Sequence, residues 1–213
     1  MEKAGISFGI LGNEQSCCGE SIRKTGNEEL FKNLVRSNTD AFNKAGVTKI
    51  VVSSPHCFHT LKNEYPELGA QFEVVHSSQF VAELIKDKKI QLTKEFKKKV
   101  TLHDSCYLGR HNNIYDEPRN VLKSIPGLEL VEMLNNRKDG LCCGGGGGRI
   151  WAETKKNERF SDIRVQQAID AGADTLATAC PYCMANFEDS VLSMDKSNVL
   201  QVKEIVELVA DAI

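Results

Sequence analysis

Five cysteines in the second half of the chain stand at a spacing that metal chemistry uses. Cys106 comes first, 35 residues lie between it and the adjacent pair Cys142 and Cys143, and 36 more lie between the pair and the turn Cys180-Pro-Tyr-Cys183. A C-x-x-C turn alone serves structural zinc, redox dithiols and iron-sulfur clusters alike. The adjacent pair is more telling. A closed structural zinc site takes four ligands in a tetrahedron, and five thiols exceed it. Neighbouring side chains point in different directions, so Cys142 and Cys143 suit two metals of one cluster better than a single ion. Thiolate is a soft ligand, and iron-sulfur clusters are held by cysteine sulfur. The glycine run Gly144 to Gly148 lets backbone N–H groups close around an anion, which a negatively charged cluster requires and which raises its reduction potential. The spacing points to iron-sulfur ligation, with a zinc site and a set of inert buried thiols as alternatives.

The same pattern occurs twice. Cys17-Cys18-Gly19 matches Cys142-Cys143-Gly144 at an offset of 142 − 17 = 125, and KAGVTKIVVSSPHC (44–57) matches DAGADTLATACPYC (170–183) at 170 − 44 = 126. A strand-like segment precedes each pair, ISFGIL in one copy and LELVEML in the other. The expected units are residues 1–92, incomplete, and 93–213, complete in its cysteines. The first copy carries Ser54 where the second has Cys180, and the counterpart of Cys106 falls at 106 − 125 = −19, upstream of Met1. Cys17, Cys18 and Cys57 remain. They form a metal-free remnant, a zinc site completed by His56 or His59, or a partial cluster completed by a thiol from a missing segment. That segment would also supply a strand. An open sheet edge is therefore expected beside these thiols, covered by a partner subunit or an identical chain.

The elements that must position the thiols read as alternating helices and strands. Thr25 to Glu28 has the form of a capping box, and Leu30, Phe31, Leu34 and Phe42 recur at helical spacing to about residue 45. KIVVSS, VTLHD, LELVEML and DTLATA read as strands, Pro118 to about Ile125 as a short helix, and 158–171 as a helix with Phe160, Ile163 and Ile169 inward. Strands alternating with helices imply an α/β fold of two pseudo-repeated units with mostly parallel sheets. Ligands collect at the carboxyl ends of such strands, where Cys57, Cys106 and the Cys180 turn all fall, so the metal site belongs there. The lysine-rich stretch from Lys86 to Lys99 reads as a solvated linker between the copies.

Composition narrows the function. With 27 Lys and Arg against 29 Asp and Glu in 213 residues, and no basic block, the chain is not built to bind nucleic acid. No apolar run approaches the roughly 20 residues of a membrane span, and the N-terminus lacks the form of a secretory signal, so a cytoplasmic location with reduced thiols is expected. His103 and Asp104, just before Cys106, are candidates to orient ligands or relay protons, as are Arg110 and His111; Trp151 reads as a packing residue. The glycine run lacks the acidic partner of a dinucleotide-binding fingerprint, so electrons must come from outside.

The residues resemble a known family. The pattern C-x35-CCG-x35-C-P-x-C, within HDSCYLGR, LCCGGGGGR and ACPYC, is similar to the cysteine-rich CCG domain of heterodisulfide reductase. That domain recurs in the iron-sulfur subunit of glycolate oxidase and in membrane-associated iron-sulfur oxidoreductases that exchange electrons with electron-transferring flavoprotein. SPHCFHTLKNEYP looks most like the last group. The resemblance implies a noncubane [4Fe-4S] cluster on Cys106, Cys142, Cys143, Cys180 and Cys183, used in electron transfer or disulfide reduction. It further implies a flavoprotein or ferredoxin-type partner, activity only within a hetero- or homo-oligomer, and a place on the inner face of the membrane reached through partner subunits. The rival expectation from another class is a zinc-stabilised interaction module without turnover.

Overall fold

The computed structural model describes all residues but 156 and 157. The first half runs α1 (Glu20–Lys24), α2 (Glu28–Lys44), β1 (Lys49–Val52), α3 (Pro55–His59), β2 (Glu73–His76) and α4 (Ser77–Lys86). The second runs β3 (Lys99–His103), α5 (Asp116–Lys123), β4 (Glu129–Val131), α6 (Phe160–Asp170), β5 (Thr175–Thr178), α7 (Pro181–Ser193), β6 (Gln201–Glu204) and α8 (Ile205–Ala212). Strands β1 and β2 form one two-stranded sheet, and β4-β3-β5-β6 form a four-stranded sheet. Every pairing is parallel. The repeat is visible in the register: Lys49 pairs with Glu73 as Thr175 pairs with Gln201, each at the start of its strand.

Strand alternation sets the layers, since successive side chains of a strand point to opposite faces. Val100, Leu102 and Ala177 enter one core with Ile205, Leu208 and Val121, and that core runs on into Phe31, Phe58, Tyr65 and Leu84 of the first half. Leu176, one residue out of phase, faces a second core with Val165, Phe187, Leu200 and the buried Cys143, Cys180 and Cys183. The cysteines therefore sit on the α6 and α7 side of the four-stranded sheet. Thr101 and His103 alternate with the first-core residues and are buried as well. Among the described residues no helix is long and apolar enough to cross a membrane.

Several expectations shift. The helix after Gly26 is capped by Asn27, whose Oδ1 accepts from the Leu30 N–H at 3.0 Å, while the Thr25 hydroxyl donates to the Ser21 carbonyl at 2.9 Å and closes α1. ISFGIL is not a strand: it pairs with no other strand among the described residues, is bounded by Gly5 and Gly12 at φ of 63° and 57°, and leaves Ile10 81% exposed. On α6 the inward stripe is Ser161, Arg164, Val165 and Ala168, at helical spacing, with Phe160 and Ile163 exposed. That face covers polar groups beside the thiols, so its signature is not aliphatic. Trp151 is 68% exposed rather than packed, with Tyr182 at its ring edge, 6.5 Å between centroids. Residues 87–98 connect the sheets with Ile90 buried and most lysines exposed, as a linker should.

Candidate metal centre

Strand pairing puts the thiol turns together. His103, the last residue of β3, pairs with Thr178, the last of β5, so the turns holding Cys106 and Cys180 leave the sheet side by side. The loop after β4 delivers Cys142 and Cys143 to the same place. The Cys142 Sγ lies 3.9 Å from the Cys106 Sγ, and the sulfurs of Cys143 and Cys183 lie within 4.8 Å of each other and of a ring nitrogen of His103. The Cys180 and Cys183 thiols are hydrogen bonded, and the Cys183 Sγ is 3.8 Å from the Ser105 Oγ. All five cysteines of the second copy thus form one cluster, three of them buried and two half-buried. Pro181 opens α7, which places Cys180 at its N-terminus and Cys183 in its first turn, where the helix dipole favours negative charge.

The thiols cannot all carry a proton comfortably. The Cys106 thiol beside it, then that of Cys143, hold Cys142 well below the ordinary thiol range, and Cys183 holds Cys180 down to about 5. Their donors move the other way: Cys143 is pushed up to about 12 by its neighbour Cys142, and Cys106 and Cys183 rise through their bonds to Cys142 and Cys143. Packed, desolvated sulfur of this kind is a site for soft cations, which would replace the shared protons. The backbone contributes too. Gly144 takes φ of 84°, open to glycine at little strain, and turns its N–H onto the Cys142 Sγ at 3.3 Å. A Cβ on Gly145 would lie 2.5 Å from the Asn186 Nδ2 and 3.7 Å from the Cys143 Sγ, so the glycine run is also a close-approach wall.

The first copy repeats the arrangement in reduced form. Cys17, Cys18 and Cys57 are joined by thiol hydrogen bonds through Cys18. The Cys18 thiol holds Cys17 down to about 6, and the Gly19 N–H reaches the Cys17 Sγ at 3.5 Å as Gly144 does in the second copy. Ser54, standing where a fourth cysteine would be, donates a hydrogen bond to Cys57.

Between the two thiol groups lies a wall of rings. His56 stacks on Tyr107 with centroids 4.2 Å apart and meets the Tyr182 edge at 4.7 Å. Its Nδ1 is 3.1 Å from a carboxylate oxygen of the buried Glu20, and it also hydrogen bonds the Cys180 thiol. Burial alone would lower its pKa, yet Cys180 and Glu20 raise it to about 9, and His56 in turn keeps Glu20 ionised against burial. His59 and His111 extend the wall past Tyr107. Of the two histidines weighed as partners of Cys17, Cys18 and Cys57, His56 is turned to Glu20 and Cys180, and the His59 Nδ1 is bonded by Asn63 at 3.0 Å.

Charged groups stand behind the second site. Asp104 is buried and accepts from both terminal nitrogens of the buried Arg119, at 2.6 and 2.9 Å, and from the Arg137 backbone N–H at 2.6 Å. Asp104 thus ties three segments together and does not face the thiols. Arg110 donates to the Gly140 carbonyl at 2.6 Å, which holds the loop that carries the cysteine pair. Glu20, Tyr107, Tyr182 and Arg164 gave no sequence signal of their own. The repeat does offer one, because Tyr182 lies inside a thiol turn and Tyr107 directly follows Cys106.

A family model described as a cysteine-rich domain, CCG, matches residues 1–62 and 100–188. The chain is 40% identical over 213 residues, its whole length, to "Probable iron-sulfur-binding oxidoreductase FadF" of Bacillus subtilis, and covers 30% of that protein. It is 40% identical over 215 residues to "EtfAB:quinone oxidoreductase" of Syntrophomonas wolfei, covering 98% of this chain and 30% of that one. It is 37% identical over 219 residues to a subunit of the dihydromethanophenazine:CoB--CoM heterodisulfide reductase of Methanosarcina barkeri, covering 100% of this chain and 53% of that one. The chain thus spans about half, or less, of the length of these relatives.

Proposed function

We propose that this chain, which belongs to the cysteine-rich CCG domain family, is the cluster-bearing electron-transfer part of an iron-sulfur oxidoreductase. The observation that carries the reading is the convergence of Cys106, Cys142, Cys143, Cys180 and Cys183, five thiols where a closed zinc site takes four. These residues hold a noncubane [4Fe-4S] cluster, which supplies one-electron chemistry when bound. The protein's part is to hold it: α7 and the Gly144 N–H favour its negative charge, and the second core excludes water from it. His56, Tyr107 and Tyr182 form the wall against the first copy.

Residues 1–92 and 93–213 act as two copies of one unit, of which only the second carries a full ligand set. Cys17, Cys18 and Cys57 hold at most zinc or a partial cluster, since Ser54 replaces a thiol. Electrons come from a flavoprotein or ferredoxin-type partner, in keeping with the relatives' names, and leave to a quinone or a disulfide. A disulfide acceptor would take two electrons and two protons and leave as two thiols. The chain works in the cytoplasm, reaching the membrane's inner face through partner subunits, as a hetero- or homo-oligomer. Anaerobic purification with metal and sulfide analysis tests the reading. About four irons per chain are expected, lost or converted in Cys143→Ser; zinc without iron would instead mark an interaction module and overturn it.

A further inference from the structure

His103 sits at the end of β3, 1% exposed, with its ring pinned edge-on by Phe187 at 4.7 Å between centroids. Its Nδ1 accepts a hydrogen bond from the Nε–H of Arg164 at 3.4 Å. A guanidinium only donates, so this nitrogen must carry the lone pair, and in the neutral ring the proton is then on Nε2. The Nε2 atom is buried and finds no partner among the described residues. One ring nitrogen lies within 4.8 Å of the Cys143 and Cys183 sulfurs, and with Nδ1 taken, Nε2 is the nitrogen left to serve them.

Arg164 is itself unusual. It is fully buried on the inward stripe of α6, its Nη1 donates to the Asn135 carbonyl at 2.6 Å and to Gln167 at 2.8 Å, and its Nη2 is buried without a partner. No carboxylate forms an ion pair with it among the described residues. Asp104 and Glu132 act on it only from beyond ion-pair contact, so a buried cation of this kind remains costly, and a negatively charged cluster on the thiols across His103 would add to its balance.

We infer that Arg164 and His103 form a tuning pair for the cluster proposed above: Arg164 fixes the His103 tautomer, and the His103 Nε2–H donates to a cluster sulfur on the Cys143 and Cys183 side. The inference rests on the iron-sulfur reading of the site. Both residues are positioning residues, since neither touches a substrate. A donor and a buried cation stabilise the reduced, more negative state, so they raise the reduction potential. The same geometry opposes direct ligation by His103, because Nε2 would have to lose its proton while Nδ1 remains engaged by Arg164.

The test is a redox titration followed by electron paramagnetic resonance, on anaerobically purified full-length chain, for wild type, His103→Gln, His103→Leu and Arg164→Met. Gln places an N–H donor near the Nε2 position, whereas Leu does not. His103→Gln should hold its iron and titrate near wild type. His103→Leu and Arg164→Met should hold iron but be reduced at more negative potential, with about a tenfold lower reduced-to-oxidised ratio at the wild-type midpoint, about 59 mV for one electron. If His103→Leu does not fold, Arg164→Met against His103→Gln decides the matter. In 15N-histidine-labelled wild type, weak nitrogen coupling to the cluster spin is expected, and the strong coupling of a ligated nitrogen would overturn the inference. Iron-replete His103→Leu and Arg164→Met with the wild-type midpoint would also overturn it, leaving the cluster assignment standing. A wild type that holds zinc and no iron would remove both.

Discussion

His76 is a titrating joint between the first thiol turn and the helix behind it. The residue is fully buried, its Nε2–H donates to the Ser53 carbonyl at 3.0 Å, and its Nδ1 accepts from the Ser78 backbone N–H at 3.2 Å, which caps α4. Burial pushes its pKa down to about 4, against the donated bond to Ser53, which favours the charged form. From an unfolded value near 6.5 this is about 2.5 pKa units, and at about 1.4 kcal/mol per unit it amounts to about 3 kcal/mol. The folded value lies below the unfolded one, so the unfolded chain binds the proton more readily. The stability His76 confers is therefore complete above about pH 6.5 and is lost as pH falls toward 4. His76→Gln keeps an N–H for Ser53 and cannot gain charge. At pH 7.5 we predict that it is less stable than wild type by about 1–2 kcal/mol, the worth of a lost cap. In denaturant unfolding between pH 7.5 and 4 the gap should close by about 3 kcal/mol, leaving the variant the more stable of the two at pH 4. A gap that stays constant over that range would refute the assignment of the buried neutral ring.

Two further predictions concern the thiol turns and their supports. Ser54→Cys puts a fourth thiol beside Cys57, and metal per chain, measured anaerobically, should rise at the first site; an unchanged metal content would count against the equivalence of positions 54 and 180. Arg119→Met leaves the buried Asp104 carboxylate without its two strongest donors, so it should cost about 3–5 kcal/mol in denaturant unfolding. Adding Asp104→Asn should recover part of that loss, and strictly additive effects of the two changes would show that the pair is not coupled.

Much of this architecture is legible because the repeat is written in cysteines, glycines and short apolar runs. The strands beginning at Lys49, Lys99, Glu129 and Thr175 each read as a short stretch with two or three apolar residues before a turn, and the parallel order follows from helices lying between them. β2 and β6 are not legible. EVVH and QVKE are short, polar at both ends and directly continued by helices, so no turn residue marks their close. The face of α6 escapes the sequence for a related reason: a helix that buries Arg164 and Asp162 beside a polar site hides them from any argument based on apolar periodicity. The grouping of the thiols is readable from spacing, but the residues around them are not. Glu20 and Tyr107 are placed by tertiary contact between the copies, and no local pattern records such a contact.

That contact explains why the two copies diverge where they do. His56 and Tyr182 hold equivalent places in the repeat, 182 − 56 = 126 residues apart, and their rings meet with centroids 4.7 Å apart. At such a junction a change in one copy is felt by the other. Ser54 removes the first copy's counterpart of Cys180, while His56, two residues on, replaces the counterpart of Tyr182 and hydrogen bonds Cys180 itself. The Tyr182 hydroxyl meanwhile lies 3.2 Å from the Ser21 hydroxyl, beside the first copy's cysteine pair. Glu20 locks His56 from the same segment that carries Cys17 and Cys18, so the first copy's pair loop is tied to Cys180 of the second copy through one ring. The copy with fewer thiols thus meets, through the ring of His56, the thiol turn of the copy with five.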